Sequence, residues 1–165
     1  MSTLALPHTP GCLVCGRDNP HGLHLNLEVD PDTGIVQVQF TPTPNHIGFQ
    51  GIVHGGIIGT VIDEAMVWAA TWNGKRFCLC GEMTVRFRNP AKISRPIFCT
   101  ASVDFSRPRL ISTNAMMRDE HNTIIAAASG KYVPLDRERN REFVATVLDD
   151  VDQENQVAAM LRAAV

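Results

Sequence analysis

The chain predicts an α+β fold in which an antiparallel sheet wraps one buried helix. Three observations predict it: a pair of alternating strands within residues 23–40, a segment over 56–72 that is apolar around nearly its whole circumference, and a meander of alternating strands after residue 80. With 165 residues, 44% of them hydrophobic and 19% charged, the chain is long enough for one domain with a real core and too apolar for disorder. A net charge of −2 without a lysine/arginine block argues against nucleic acid as the main partner. No apolar run reaches the length of a membrane span, and the start MSTLALPHTPGC does not read as a secretion signal. Five cysteines, an odd count, suit a reducing, cytoplasmic compartment better than a disulfide framework.

Residues 1–22 hold three prolines and three glycines and read as an irregular segment, followed by a domain over 23–134 and a helical extension over 135–165. In the first strand, Leu23, Leu25, Leu27 and Val29 alternate with polar residues; in the second, Val36, Val38 and Phe40 do so. Pro31-Asp32-Thr33-Gly34 between them is a turn signal, so the two predict a hairpin. The helix runs from about Gly56 to Trp72, and Asn73-Gly74 supplies its C-cap. Its apolar residues, Ile57 to Ala70, leave little face for solvent. Later strands are centred on Met83–Arg88, Ile97–Phe105, Leu110–Arg118 and Thr123–Val133. Phe143, Val144, Val147 and Leu148, then Val157, Met160 and Leu161, recur at helical spacing and predict one or two amphipathic helices.

The chemistry concentrates in Asn45–Ala70. His54-Gly55-Gly56 opens the helix, and a helix start exposes backbone N–H groups that no earlier turn satisfies; such donors can hold an oxyanion. Asp63 and Glu64 lie inside the apolar helix, where a carboxylate is costly without a task or a partner. Being neighbours, they point about 100° apart, so only one can face a given site. His54 is either a general base or, as we favour, a residue that ties down the helix start. Arg86, Arg88 and Lys92 are either phosphate contacts or the solvent-facing half of a strand. Cys12 and Cys15, followed by His21 and His24, have the donor types for zinc, but the spacing is shorter than in zinc fingers; we read two reduced thiols in a tight turn and no metal. No phosphate-binding or dinucleotide motif is present.

Cys12-x-x-Cys15-Gly16, Asn19-Pro20-x-Gly22-Leu23, Gly51-Ile52-Val53-His54-Gly55-Gly56, Asp63-Glu64-Ala65-Met66, Val85-Arg86-Phe87-x-x-Pro90-Ala91 and Gly130-Lys131-Tyr132-Val133-Pro134 occur in that order, with an acid nine positions after the histidine. In these elements the chain resembles the hotdog-fold acyl-CoA thioesterases of the phenylacetate-pathway (PaaI-like) type. The resemblance implies a hotdog fold and hydrolysis of acyl-CoA to a free acid and CoA, without metal or redox cofactor. It implies Asp63 as nucleophile or general base, with Glu64 as the second candidate, and the Gly55 amide as oxyanion donor. The substrate-binding candidates are His54, Gly56, Gln50, Asn45, Glu82, Thr84, Arg86 and Arg88. Cys80, Glu82 or Thr84 would help place the attacking water. Many relatives carry Asn or Gln six residues before the histidine; this chain has Gly48, with Gln50 and Asn45 as the candidate substitutes. A homodimer with shared active sites, often paired into a homotetramer, is implied as well. Gly55 and Asp63 are eight residues, about 12 Å, apart along one helix, too far to meet one thioester from the same subunit. The rival readings are a hotdog hydratase or dehydratase using an acid–histidine pair, a non-catalytic acyl-CoA or lipid sensor, and a scaffold with a vestigial pocket.

Overall fold

The computed structural model describes residues 2–148 and 154–165. Its strands are β1 (Leu4–Ala5), β2 (Leu27–Val29), β3 (Val36–Phe40), β4 (Ile47–Phe49), β5 (Ile52–Val53), β6 (Cys78–Phe87), β7 (Ile97–Arg107), β8 (Leu110–Asp119) and β9 (Ile124–Pro134). Its helices are α1 (Gly55–Gly74), α2 (Arg137–Val147) and α3 (Gln156–Ala163). The main sheet is antiparallel in the order β1-β2-β3-β7-β8-β9-β6, and β4 and β5 form a separate hairpin. α1 lies against β3, β6, β7, β8 and β9, so the expected helix-wrapping sheet is present.

The core follows from the two periodicities. From α1, Ile58, Val61, Ile62, Ala65, Met66, Trp68, Ala69, Ala70 and Thr71 are buried. Each strand answers with alternate residues: Val36, Val38 and Phe40; Ile97, Cys99 and Ala101; Ile111, Ala115 and Met117; Ala126, Ala128 and Tyr132. Each large aliphatic side chain so buried contributes about 1.5–3 kcal/mol. Ile62, fully buried, is a single change that would open the core: Ile62→Ala would cost about 2–5 kcal/mol, read as a lowered urea midpoint.

The structure departs from the pattern in three places. Leu23–Leu25 alternate but are not in the main sheet. His24 adopts a left-handed φ of 53°, and Leu23 and Leu25 instead donate backbone hydrogen bonds to Leu13 and Val14 (2.8 and 2.9 Å). That pairing folds the N-terminal segment back onto the domain. β6 begins at Cys78, five residues before the expected start at Met83, because a bulge between Cys80 and Glu82 interrupts the alternation. α1 includes Gly74, and Lys75 takes the left-handed cap at φ 54° with its ammonium 3.7 Å from the Trp72 ring centroid. No described helix is long and apolar enough to cross a membrane.

The sheet's two edges differ. β1 is two residues long, and Asn155 at the start of α3 donates to its Ala5 carbonyl at 2.8 Å. β6 is ten residues long, with one edge paired to β9 and the other bare among the described residues. It carries Leu79 and Phe87, 51% and 56% exposed.

Candidate active site

His54 is the N-cap of α1, in extended backbone geometry (φ −60°, ψ 132°). Its Nδ1 accepts the Gly56 N–H at 2.9 Å, and its carbonyl accepts Ile57 N–H at 3.0 Å and Ile58 N–H at 3.3 Å. Among the described residues, that leaves the Gly55 N–H as the donor of the first turn without an acceptor. The position is exposed, and a Cβ there would lie 3.4 Å from Cζ of Phe87. An open pocket of about 280 Å³ adjoins Gly55, lined by Ile52, Ile58, Phe87 and Arg88 among others. The first turn therefore presents one unsatisfied N–H and the positive end of the helix dipole to an apolar pocket with a guanidinium at its rim.

Asp63 sits two turns further on, half-buried. Its Oδ1 accepts the Tyr132 hydroxyl at 2.7 Å. Tyr132 is the chain's single tyrosine and is fully buried on β9. Burial and the neighbouring carboxylate push its ionisation far above the ordinary phenol range, so it stays a donor. Cys80 lies against both Asp63 and Tyr132, its thiol raised mainly by burial and further by the Asp63 charge. The Tyr132 bond orients the carboxylate and leaves Oδ2 for a proton or a carbon. No motif or spacing in the sequence marks Tyr132 as a site residue. The available signal was that a buried tyrosine hydroxyl needs a partner.

β6 sorts the remaining candidates. Opposed residues of two paired strands share a face. Cys80 opposes Tyr132, Met83 opposes Gly130, Val85 opposes Ala128 and Phe87 opposes Ala126, and these face α1. Glu82, Thr84 and Arg86 oppose Lys131, Ser129 and Ala127 on the outer face, where Glu82 pairs with Lys131 at 2.9 Å. Of the three candidates for placing water, the structure thus brings Cys80 to Asp63 and turns Glu82 and Thr84 away. Arg88 stays near Gly55; Arg86 does not.

The loop candidates are separated too. Gln50 is exposed at the tip of the β4–β5 hairpin with φ 48°. Asn45 lines a groove of about 670 Å³ between the N-terminal segment and the first turns of α1, together with His21, His24, His46, Ile57 and Thr60. That groove contains neither Asp63 nor Gly55. At Gly48, a Cβ would lie 3.1 Å from Cα of His54, so β4 passes too close to the helix cap for an easy side chain there.

Glu64 faces the other way. It shares a stripe with Ile57 and Thr60, and its Oε1 accepts Trp68 Nε1–H at 3.0 Å. Burial pushes its carboxyl up to about 7, helped by the negative charge of the Cys12 thiolate beside it. Donor atoms of Cys12, Cys15 and Glu64 lie within 4.8 Å of one another. Hydrogen bonding with Cys15 brings Cys12 down to about 5, while the same contact and burial drive Cys15 up. His24, by contrast, engages the Asn19 carbonyl through Nε2 at 2.7 Å.

The family model of the thioesterase superfamily matches residues 50–126. No curated protein matches the sequence significantly. Several solved structures share the fold. A thioesterase superfamily protein aligns with TM-score 0.68 and 23% identity over 75% of this chain, and the match spans 60% of that protein's length. The E. coli PaaI protein from the phenylacetic acid degradation operon aligns with TM-score 0.64 and 19% identity, covering 69% of this chain and 81% of its own. A Streptococcus mutans protein bound to acetyl-CoA aligns with TM-score 0.60 and 14% identity, covering 62% and 82%. The fold is the hotdog fold, and the chain is similar to its thioesterases of the PaaI type.

Proposed function

We propose that this hotdog-fold chain is an acyl-CoA thioesterase that hydrolyses its substrate to a carboxylic acid and CoA, with Asp63 as the acid on the central helix. The observation that carries the reading is the Asp63 carboxylate: half-buried, held by Tyr132 through one oxygen, with the other left to act. In the hydrolytic step, water attacks the thioester carbon while Asp63 takes its proton. The carbonyl oxygen gains charge against the Gly55 N–H, and collapse of the tetrahedral intermediate breaks the C–S bond. The departing CoA thiolate recovers a proton. Direct attack by Asp63 through an anhydride is the other route; a single turnover in ¹⁸O-water labels the Asp63 carboxylate only on that route. No metal or redox cofactor takes part in this chemistry.

Two subunits build each site in this proposal. Gly55 lies at the Phe87 end of β6 and Asp63 at the Cys80 end. Pairing two bare β6 edges antiparallel about a two-fold axis brings Gly55 of the partner subunit toward Asp63. It also covers Leu79 and Phe87. A further pairing of such dimers into a tetramer is compatible with this arrangement. The acyl-CoA ligand is supported by CoA-bound neighbours, and Arg88 beside the Gly55 pocket suits a phosphate. Five unpaired thiols favour a reducing, cytoplasmic setting.

A hydratase would need His54 as its base, yet His54 uses Nδ1 to cap the helix. The test is a panel of acyl-CoA substrates with thiol release followed by a chromogenic reagent. Turnover by the wild type and its loss in Asp63→Asn support the proposal. Tight acyl-CoA binding by calorimetry with no thiol release on any substrate would make the chain a binding protein instead.

A further inference from the structure

The N-terminal Cys-x-x-Cys-Gly turn meets α1 in a way the thioesterase chemistry does not use. Cys12 and Cys15 project their sulfurs from a single turn closed by the Gly16 N–H to the Cys12 carbonyl at 3.1 Å. The Val14 N–H points at Cys12 Sγ, at 3.3 Å, as backbone amides do when they support a thiolate. Gly16 cannot be replaced without moving the turn, because a Cβ would lie 2.3 Å from the Pro10 carbonyl and 2.5 Å from Cys12 backbone atoms. Opposite this turn, 49 residues after Cys15 in the chain, α1 supplies Glu64, oriented by Trp68 Nε1–H. Three groups that are anionic when deprotonated thus converge to within 4.8 Å, with Cys15 buried and the other two half-buried.

The sequence, with His21 and His24 as the further donors, reads as metal-free; with Glu64 brought to the two thiols instead, we propose that Cys12, Cys15 and Glu64 form a binding site for a divalent zinc-class cation. In a tetrahedral zinc site with Zn–S near 2.3 Å and Zn–O near 2.0 Å, neighbouring donors are about 3.5–3.8 Å apart, so small side-chain adjustments close this triad on an ion. Two thiolates with one carboxylate select zinc over magnesium or calcium, which favour oxygen alone. The Trp68 indole is the outer partner that holds the carboxylate. Three protein donors leave the fourth position to water. Binding releases the Cys15 proton and any proton still on Glu64, and changes no oxidation state.

The site ties the N-terminal segment to the helix that carries Asp63. Leu13, between the two cysteines, and Pro20–Leu25, which follow them, form one wall of the large groove, and Ile57 and Thr60 on the Glu64 stripe lie on the other. An ion at the triad fixes those walls relative to each other. This inference is independent of the thioesterase proposal, because it concerns the opposite face of α1.

The test uses the full chain, reduced and then dialysed against trace zinc. Elemental analysis is expected to find about one zinc per chain, lost in Cys12→Ser and in Cys15→Ser. Glu64→Gln and Trp68→Phe are each expected to weaken zinc binding by about tenfold or more in competition with a chromogenic chelator. Should the cysteine variants fail to fold, the wild type decides. Cobalt(II) is expected to give thiolate-to-metal charge transfer with tetrahedral visible bands, and zinc is expected to protect Cys12 and Cys15 from alkylation as mapped by mass spectrometry. Zinc well below stoichiometry in reduced protein, a Cys12–Cys15 disulfide with no metal uptake after reduction, or undiminished zinc binding by Glu64→Gln would overturn the proposal.

Discussion

Asp63 and Glu64 are adjacent in the chain, yet they belong to different regions of the molecule. Asp63 points toward β6 and β9, meeting a tyrosine hydroxyl and a thiol beside a bare sheet edge. Glu64 points toward the N-terminal segment, meeting an indole N–H and two thiols. A rotation of about 100° per residue is enough to separate them. The lesson is that one helix serves two neighbourhoods. The β6 side ends in an edge that is bare among the described residues, which in the proposed dimer the second subunit covers. The N-terminal side is already closed over by the chain's own first residues.

The sharpest way to break this division is to neutralise each acid in turn. Asp63→Asn is expected to lower kcat by about a hundredfold or more in a steady-state thiol-release assay, with its urea midpoint retained. Glu64→Gln is expected to act through zinc binding. Normal turnover in the first variant and none in the second would exchange the two roles.

Gly55→Pro tests the other half of the β6-side site. It removes one N–H from the first position of α1, where proline suits a helix and the extended His54 tolerates one behind it. The expected loss in kcat is about a hundredfold, with circular dichroism unchanged. Mixing Gly55→Pro with Asp63→Asn then sharpens the claim that the site is shared. In a random dimer mixture about a quarter of wild-type activity is expected to return, since half the dimers are mixed and each holds one intact site. No recovery after verified subunit exchange would place both groups in one subunit.

Smaller effects follow further from the chemistry. Tyr132→Phe leaves Asp63 Oδ1 without its donor. Turnover should fall by roughly tenfold, and stability in urea by about 1–3 kcal/mol. Thr84→Ala, on the outer face of β6, is expected to change kcat by less than about twofold and stability by less than about 0.5 kcal/mol. A large loss there would show that the outer face also meets substrate.

Much of the fold was legible. α1 was legible because nearly every face of it is apolar, β3 and β7 because of their period-two alternation, and β8 and β9 because two strand-length segments flank the Asp119–Asn122 turn. α2 and α3 followed from apolar spacing among charges; the stretch between them, 149–153, lies outside the described residues. The beginning of β6 was hidden by a bulge and Leu23–Leu25 by the positive φ of His24, both local geometries that alternation does not encode. Of the site, the helix cap and the acid pair were visible in Asn45–Ala70. Which strand residues stand beside Asp63 was not, because that depends on a register shifted by the bulge.

By itself, the sequence determined that one apolar helix would be wrapped by an antiparallel sheet, and that this helix would start on a histidine-glycine turn and carry two acids. Those are local properties, set by periods of 3.6 and 2 residues and by backbone groups that must be satisfied or left bare. Only the tertiary structure decided what each acid meets. Tyr132 reaches Asp63 across 69 residues of chain, and Glu64 meets cysteines that precede it by about fifty. Such contacts depend on strand register and on how the N-terminal segment folds back, and a one-residue slip in register would turn Tyr132 out of the core and away from Asp63.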